Sequence, residues 1–172
     1  MSLLETLQSA IPVGQVRRNH AMEHATLHML TKKKNSQFFA GHADHRGFRI
    51  FGNATTEEVH EAVEEALVRL RAGEKRLAVH PNCGTNFVVS GIMAGCAAWL
   101  GMLGTESSFR RKLDRLPIII MVTTLVLIYS RALGPLMQEH LTTNAKIGNL
   151  QVIEIMRHDR GRAIIHRIRT HN

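Results

Sequence analysis

The 172-residue sequence is poor in cysteine and in aromatic residues. With 2 cysteines it has no disulfide framework, so nothing in it points to an oxidising compartment. Aromatic residues make up 5% of the chain, with one tryptophan and one tyrosine. The stacking platforms and basic modules of many nucleic-acid-binding proteins are therefore missing, and we expect no nucleic-acid partner.

Charge is also missing, but only from certain stretches. Lys and Arg total 22 against 14 Asp and Glu, a formal charge of +8, which suits the anionic surface of a membrane. Residues 77–105 nevertheless contain no Asp, Glu, Lys or Arg. The first 30 residues lack the basic start, apolar centre and cleavage site of a secretory signal peptide. The uncharged stretch is therefore the first candidate for membrane insertion.

Two apolar segments predict a transmembrane helical hairpin over residues 86–137. Residues 87–103 are apolar and rich in small residues, and about 20 such residues cross a bilayer. Residues 116–130 are uncharged and reach spanning length if the helix extends to Met137 with Arg131 snorkelling to the interface. A charged loop, residues 106–115, separates them. Two buried helices in a soluble core are the alternative, but a chain this small would hardly cover them.

The membrane hairpin carries two further predictions. Gly91 and Gly95 form a G-x-x-x-G pair, which favours close approach of a second helix and so a homo-oligomer. The basic connecting loop would lie in the cytoplasm by the positive-inside rule, yet this requires export of some 85 basic N-terminal residues without a signal peptide. We therefore expect an integral protein of the bacterial inner membrane whose polar domain is cytoplasmic.

The polar segments predict an α+β domain around this hairpin. A helix over residues 16–31 precedes a β-hairpin over residues 38–51, with its turn at residues 44–47. Thr55 and Glu58 form a capping box that opens an amphipathic helix ending at Gly73. Residues 150–156 and 162–169 predict a C-terminal β-hairpin that completes the sheet. The domains are then 1–85, 86–137 and 138–172, the last packing on the first.

The most informative motif is H-x-x-E-H, formed by His20, Glu23 and His24. On a helix, residues i and i+4 lie one above the other, so both imidazoles can bind one metal ion. Glu23 lies on a neighbouring strip and can take a proton from a metal-bound water. The alternative is a helix surface that is merely rich in histidine, since the chain has 11 histidines.

A second group of polar residues, 80–86, precedes the first apolar run. Zinc needs at least one more protein ligand, and His80 or Cys83 can supply it. If both bind, the site is closed and structural; if one binds, a position stays open for water. A turn that caps the membrane helix through its Asn residues is the alternative.

These motifs carry two resemblances. Residues 19–26, Arg46-Gly47-Phe48 and residues 80–86 together resemble an uncharacterised family of small two-span bacterial membrane proteins, a domain of unknown function. Residues 20–24 are similar to the zinc-binding helix of pitrilysin-type inverzincin metallopeptidases. This resemblance implies that His20 and His24 are zinc ligands and that Glu23 is the general base.

We therefore expect a membrane-anchored hydrolase with one zinc per chain, and a peptidase acting on a peptide or protein is the favoured class. The alternative is a non-enzymatic, metal-stabilised membrane protein that acts as an oligomeric or partner-docking module. Glu23→Gln distinguishes the two, because it should abolish hydrolysis in the first case and leave function intact in the second.

Overall fold

A computed structural model describes residues 11–34, 37–104, 109–161 and 163–171. The chain divides into two compact units, one formed by residues 1–80 and 139–172 and the other by residues 81–138. The leucines at positions 3, 4 and 7 predict a short amphipathic helix before Pro12, and this segment lies outside the described residues.

The first unit contains two long helices. Helix α1 spans Ile11–Lys33 and ends in a basic turn, where cations favour the helix dipole. Helix α2 spans Thr56–Arg71, and its predicted capping box is present: Thr55 accepts from the Glu58 backbone N–H while the Glu58 side chain accepts from the Thr55 N–H. Gly73, at φ +92°, follows its end. A short 3₁₀-helix, Lys75–Ala78, comes next.

The sheet of this unit has four antiparallel strands in the order β1-β2-β4-β3. They are β1 (Ala40–Asp44), β2 (Gly47–Phe51), β3 (Gln151–Arg160) and β4 (Ala163–His171). Strand β2 pairs with both β1 and β4, so the C-terminal hairpin completes the N-terminal one, as predicted. Gly47, at φ +136°, begins β2 in a conformation that L side chains rarely adopt.

Helices α1 and α2 pack on each other, α1 also contacts β1 and β2, and α2 contacts β3. Alternation along β2 sends Phe48 and Ile50 into the core, where both are fully buried. Arg49, between them, is only half-buried. The other large, fully buried apolar side chains of this core are Met22, Leu30, Val59, Val63, Leu150 and Ile168.

The second unit contains two apolar helices, α3 (Gly84–Met102) and α4 (Phe109–Met137), the latter followed by a π-helical turn, Gln138–Thr142. Both are long and apolar enough to cross a membrane. Their large side chains are turned outward: Phe87 is 73% exposed and Tyr129 is 74% exposed. Such apolar surface suits lipid better than water.

Polar contacts join α3 to α4 in antiparallel order. The Ser130 hydroxyl donates to Ser90 Oγ at 2.7 Å, and Gln138 Nε2 donates to Asn86 Oδ1 at 2.6 Å. Gly134 faces Asn86 so closely that a Cβ there would overlap the amide side chain. These pairs satisfy polar groups that lipid cannot.

Three predicted boundaries differ from the structure. Helix α1 begins at Ile11 rather than residue 16, because a proline in the first turn of a helix gives up no intrahelical hydrogen bond. Helix α4 includes residues 109–115, which we predicted to be a loop. The strands of the C-terminal hairpin are longer than predicted, and Arg160 pairs with Ala163, so its turn lies two residues later.

Candidate metal centre

One face of α1 carries three histidines, His20, His24 and His28, each one turn beyond the last. The opposite side of this helix is held by the core, where Ala21, Met22 and Ala25 are fully buried. The rotation of α1 is therefore fixed by packing, and the histidine face meets the segments at residues 78–80 and 140–143.

Backbone carbonyls orient the two motif histidines. His24 Nδ1 lies 2.7 Å from the carbonyl oxygen of Ala78, and His20 Nδ1 lies 3.0 Å from that of Thr142. A carbonyl only accepts, so in each ring Nδ1 carries the proton and Nε2 carries the lone pair. This is how the ring orientation and tautomer of metal-binding histidines are commonly set.

The segment that supplies the Thr142 carbonyl is itself attached to α1. Arg17 donates from Nη2 to the carbonyls of His140 and Thr143, at 2.9 and 3.0 Å. In return, the Asn144 N–H donates to the carbonyl of Arg17 at 3.0 Å. Arg17, one turn before His20, thus positions the acceptor that orients His20.

The His20 and His24 rings lie close together, with centroids 4.2 Å apart and an interplanar angle of 61°. One ring nitrogen of each lies within 4.8 Å of the other. His24 Nε2 is buried and has no hydrogen-bond partner among the residues that the structure describes. A buried polar atom without a partner is costly, and a metal ion is one ligand that satisfies it.

His24 is neutral at physiological pH. Burial, followed by the proximity of His20, lowers its pKa to about 3. A neutral imidazole is the form that binds a metal, so His24 has the protonation state that zinc requires.

His80 and His28 extend this cluster. The His80 ring centroid lies 5.7 Å from that of His24 and 4.8 Å from that of His28. His28 Nε2 donates to the carbonyl of Val79 at 2.8 Å. Burial, followed by the proximity of His28, lowers the pKa of His80 to about 4. The structure therefore places the predicted ligand His80 beside the motif helix, and it adds His28 to the cluster.

Glu23 is 4% exposed and packs against strand β1. A Cβ at Gly41 would overlap its carboxylate, so the absence of a side chain at Gly41 makes room for Glu23. We did not single out Gly41 from the sequence. The available signal is a glycine inside a strand, which often marks a close approach of another group.

Cys83 belongs to the second unit, where it is a buried thiol at the N-cap of α3. His80 ends the N-terminal segment of the first unit. The two residues are three positions apart, so their Cα atoms are at most about 11 Å from each other in a fully extended chain. Whether His80 or Cys83 completes a metal site stays a prediction.

Fold and site together define a small α+β protein with two apolar helices and a histidine cluster on a core-packed helix. The chain belongs to the family described as Domain of unknown function (DUF6391), whose family model matches residues 15–155. The predicted resemblance to an uncharacterised family is thereby confirmed. Every predicted site residue falls inside the matched range, and the match leaves the zinc-peptidase resemblance untested.

The chain is 37% identical over 98 residues to an uncharacterized protein of Picosynechococcus sp.. This similarity covers 49% of the chain and 48% of that protein, so the chain spans about half the length of this curated relative. No solved structure matches the chain.

Proposed function

We propose that the protein is a membrane-anchored, zinc-dependent hydrolase with a peptide or protein substrate, in which His20 and His24 bind the metal and Glu23 is the general base. The observation that carries this proposal is the arrangement of the motif histidines. Nδ1 of each lies on a backbone carbonyl, and Nε2 of His24 is buried without a described hydrogen-bond partner.

The distance between the rings supports a shared ion. Two nitrogens bound to one tetrahedral zinc at about 2.0–2.1 Å lie roughly 3.4 Å apart. One ring nitrogen of His20 and one of His24 lie within 4.8 Å of each other, which is compatible with one shared ion after the two rings rotate toward each other. His20 is only half-buried, which leaves solvent access on one side of the pair.

The spacing of Glu23 within the H-x-x-E-H motif supports a catalytic role. The carboxylate follows His20 by three residues, precedes His24 by one, and is held in a buried place that Gly41 keeps open. When bound, zinc would supply a Lewis acid and lower the pKa of a water molecule. Glu23 would accept the proton of that water and pass it to the leaving group.

The two apolar helices support the anchor. Helix α3 and the segment Phe109–Thr142 have the length and composition of membrane spans, and their exposed side chains are mainly apolar. We infer a bacterial inner-membrane location with a cytoplasmic polar domain. An added Cβ on Gly91 or Gly95 meets no atom within 4 Å among the described residues, so this helix face is open to a second copy.

The test is the pair of variants Glu23→Gln and His20→Ala/His24→Ala, assayed for bound zinc and for hydrolysis of a quenched fluorogenic casein. Glu23→Gln should keep its zinc and lose at least about 100-fold in rate, the contribution of a positioned base. His45→Ala, a change at an exposed turn residue, is the matched histidine control. Undiminished hydrolysis by Glu23→Gln would contradict the proposal.

The third ligand is tested in the same way. His80→Ala and Cys83→Ser are each titrated with zinc, and loss of a true ligand should weaken binding by about 10-fold or more. Weaker zinc binding in only one of the two variants indicates an open, catalytic site, whereas weaker zinc binding in both indicates a closed site.

A non-enzymatic role is the second candidate, and one observation favours it. His24 and His28 both donate to the backbone of residues 78–79, so the histidines fasten α1 to the segment after α2. Metal would then strengthen this attachment. In that case His20→Ala/His24→Ala lowers the melting temperature, and Glu23→Gln changes no function.

A further inference from the structure

We propose that the groove between α2 and β3 binds an extended peptide segment with basic side chains, which adds to the sheet as a further strand. The groove lies within the first unit and has a volume of about 550 Å³. Ligand sites of roughly 300–1,000 Å³ are typical of proteins. This proposal is independent of the metal centre.

The backbone of β3 forms one wall. In the described sheet β3 is an outer strand that pairs only with β4, and five consecutive residues, Gln151–Ile155, line the groove. A β-bulge between Val152 and Glu154 interrupts the alternation of side chains, so Val152 and Ile155 lie on the same side of this outer strand. Unpaired N–H and C=O groups on such an edge are a template for another extended chain.

The groove has an apolar floor. Val63 and Leu67 come from one face of α2, and Val152 and Ile155 come from β3. Ile153, between them, is 60% exposed, which is unusual for a large apolar side chain on an edge strand. Five strand residues at about 3.3 Å each give some 16 Å of edge, enough for a segment of about five residues.

The charge at the rim selects the partner. Two carboxylates, those of Glu64 and Glu154, border the groove with side chains 68% and 45% exposed, although the chain as a whole carries +8. One guanidinium, that of Arg71, also lines it and donates to the Leu150 carbonyl at 3.0 Å. The nearest ion-pair partners of the two carboxylates, His60 and Arg169, lie at 3.6 and 3.5 Å. Exposed pairs this long contribute little, so the carboxylates remain available to a lysine or arginine of the ligand.

The probe is a fluorescein-labelled, capped pentapeptide that alternates valine and lysine. Its binding to the full chain in neutral detergent micelles is followed by fluorescence anisotropy, with empty micelles as the blank. We expect saturable binding. A matched peptide with glutamate in place of lysine, and one with N-methylated backbone amides, should each bind at least about tenfold more weakly.

Variants localise the site. Leu67→Trp fills the groove and should weaken binding about tenfold, whereas Val68→Trp, on the exposed face of the same helix, should not. Glu154→Lys changes an exposed side chain and should reverse the preference toward the glutamate peptide. His20→Ala/His24→Ala should bind like the wild type, because the groove does not use the metal centre.

Three outcomes would overturn the proposal. If the N-methylated peptide bound as tightly as the unmodified one, strand addition would be excluded. If Glu154→Lys still preferred the lysine peptide to the glutamate peptide, Glu154 would not select the ligand. The third outcome is that the peptide does not bind, while the protein forms concentration-dependent dimers that Leu67→Trp abolishes. That result would assign the groove to a second copy of the chain.

Discussion

Gly41→Ala is the most specific substitution for testing the candidate centre, because it displaces the Glu23 side chain without changing any polar atom. The added methyl group would overlap the Glu23 carboxylate, and overpacking of a buried position costs about 1–3 kcal/mol. Replacing glycine by alanine also restricts the unfolded chain, which stabilises by about 0.4–1 kcal/mol. The net loss in the free energy of unfolding is therefore at most about 2.6 kcal/mol.

The expected loss corresponds to a fall in melting temperature of up to about 10 °C, measured by circular dichroism in detergent. Displacing a base by about 1 Å costs roughly 100-fold in rate, so hydrolysis should fall while zinc stays bound. In a Glu23→Ala background the same methyl group meets no carboxylate, and Gly41→Ala should be neutral or stabilising. His42→Ala, a change at the exposed neighbour, is the control. Equal effects of Gly41→Ala in both backgrounds would refute the reasoning.

Two further predictions concern the sheet and the helical hairpin. Partial burial raises the pKa of Asp44. Hydrogen bonds from Arg167 at 2.7 and 2.8 Å and from the Arg46 N–H at 2.8 Å, together with the charges of Arg167 and Arg49, outweigh burial in sum, so the net pKa lies below the ordinary value. The free energy of unfolding of the wild type should therefore exceed that of Asp44→Asn by about 1–2 kcal/mol at pH 7. This difference should disappear below about pH 4, because the carboxyl group of the folded protein then becomes protonated. A difference in thermal stability that stays constant down to pH 2 would contradict this prediction. Gly134→Ala places a methyl group on Asn86 and should destabilise the hairpin by about 1–3 kcal/mol, whereas Gly95→Ala adds one in open space among the described residues. Thermal unfolding in micelles checks this, and equal melting temperatures would exclude the close contact.

The sequence predicted correctly those secondary-structure elements that nearby residues determine. The capping box of α2 lies within four residues, and its amphipathic period is set by its own sequence, so this helix ends where expected. The predicted start of α4 was wrong. We assigned residues 109–115 to a loop because they are charged, although charged residues form helices readily. The turn of the C-terminal hairpin was misplaced because strand pairing extended beyond the local turn signal.

The candidate centre was predictable only in the part that local sequence determines. The spacing of His20, Glu23 and His24 indicated a shared helix face, which needs no tertiary information. The groups that orient the rings lie far away in sequence, with the Ala78 carbonyl 54 residues from His24 and the Thr142 carbonyl 122 from His20. No local pattern predicts backbone acceptors that tertiary packing brings to a helix.

The most direct test of the account is the zinc content of the full chain by elemental analysis, after purification in detergent and dialysis against trace zinc. The account predicts about one zinc per chain, lost in His20→Ala/His24→Ala and retained in His45→Ala. A folded wild-type protein that contains no zinc and takes up none when it is added would contradict the metal centre and the hydrolase proposal that depends on it.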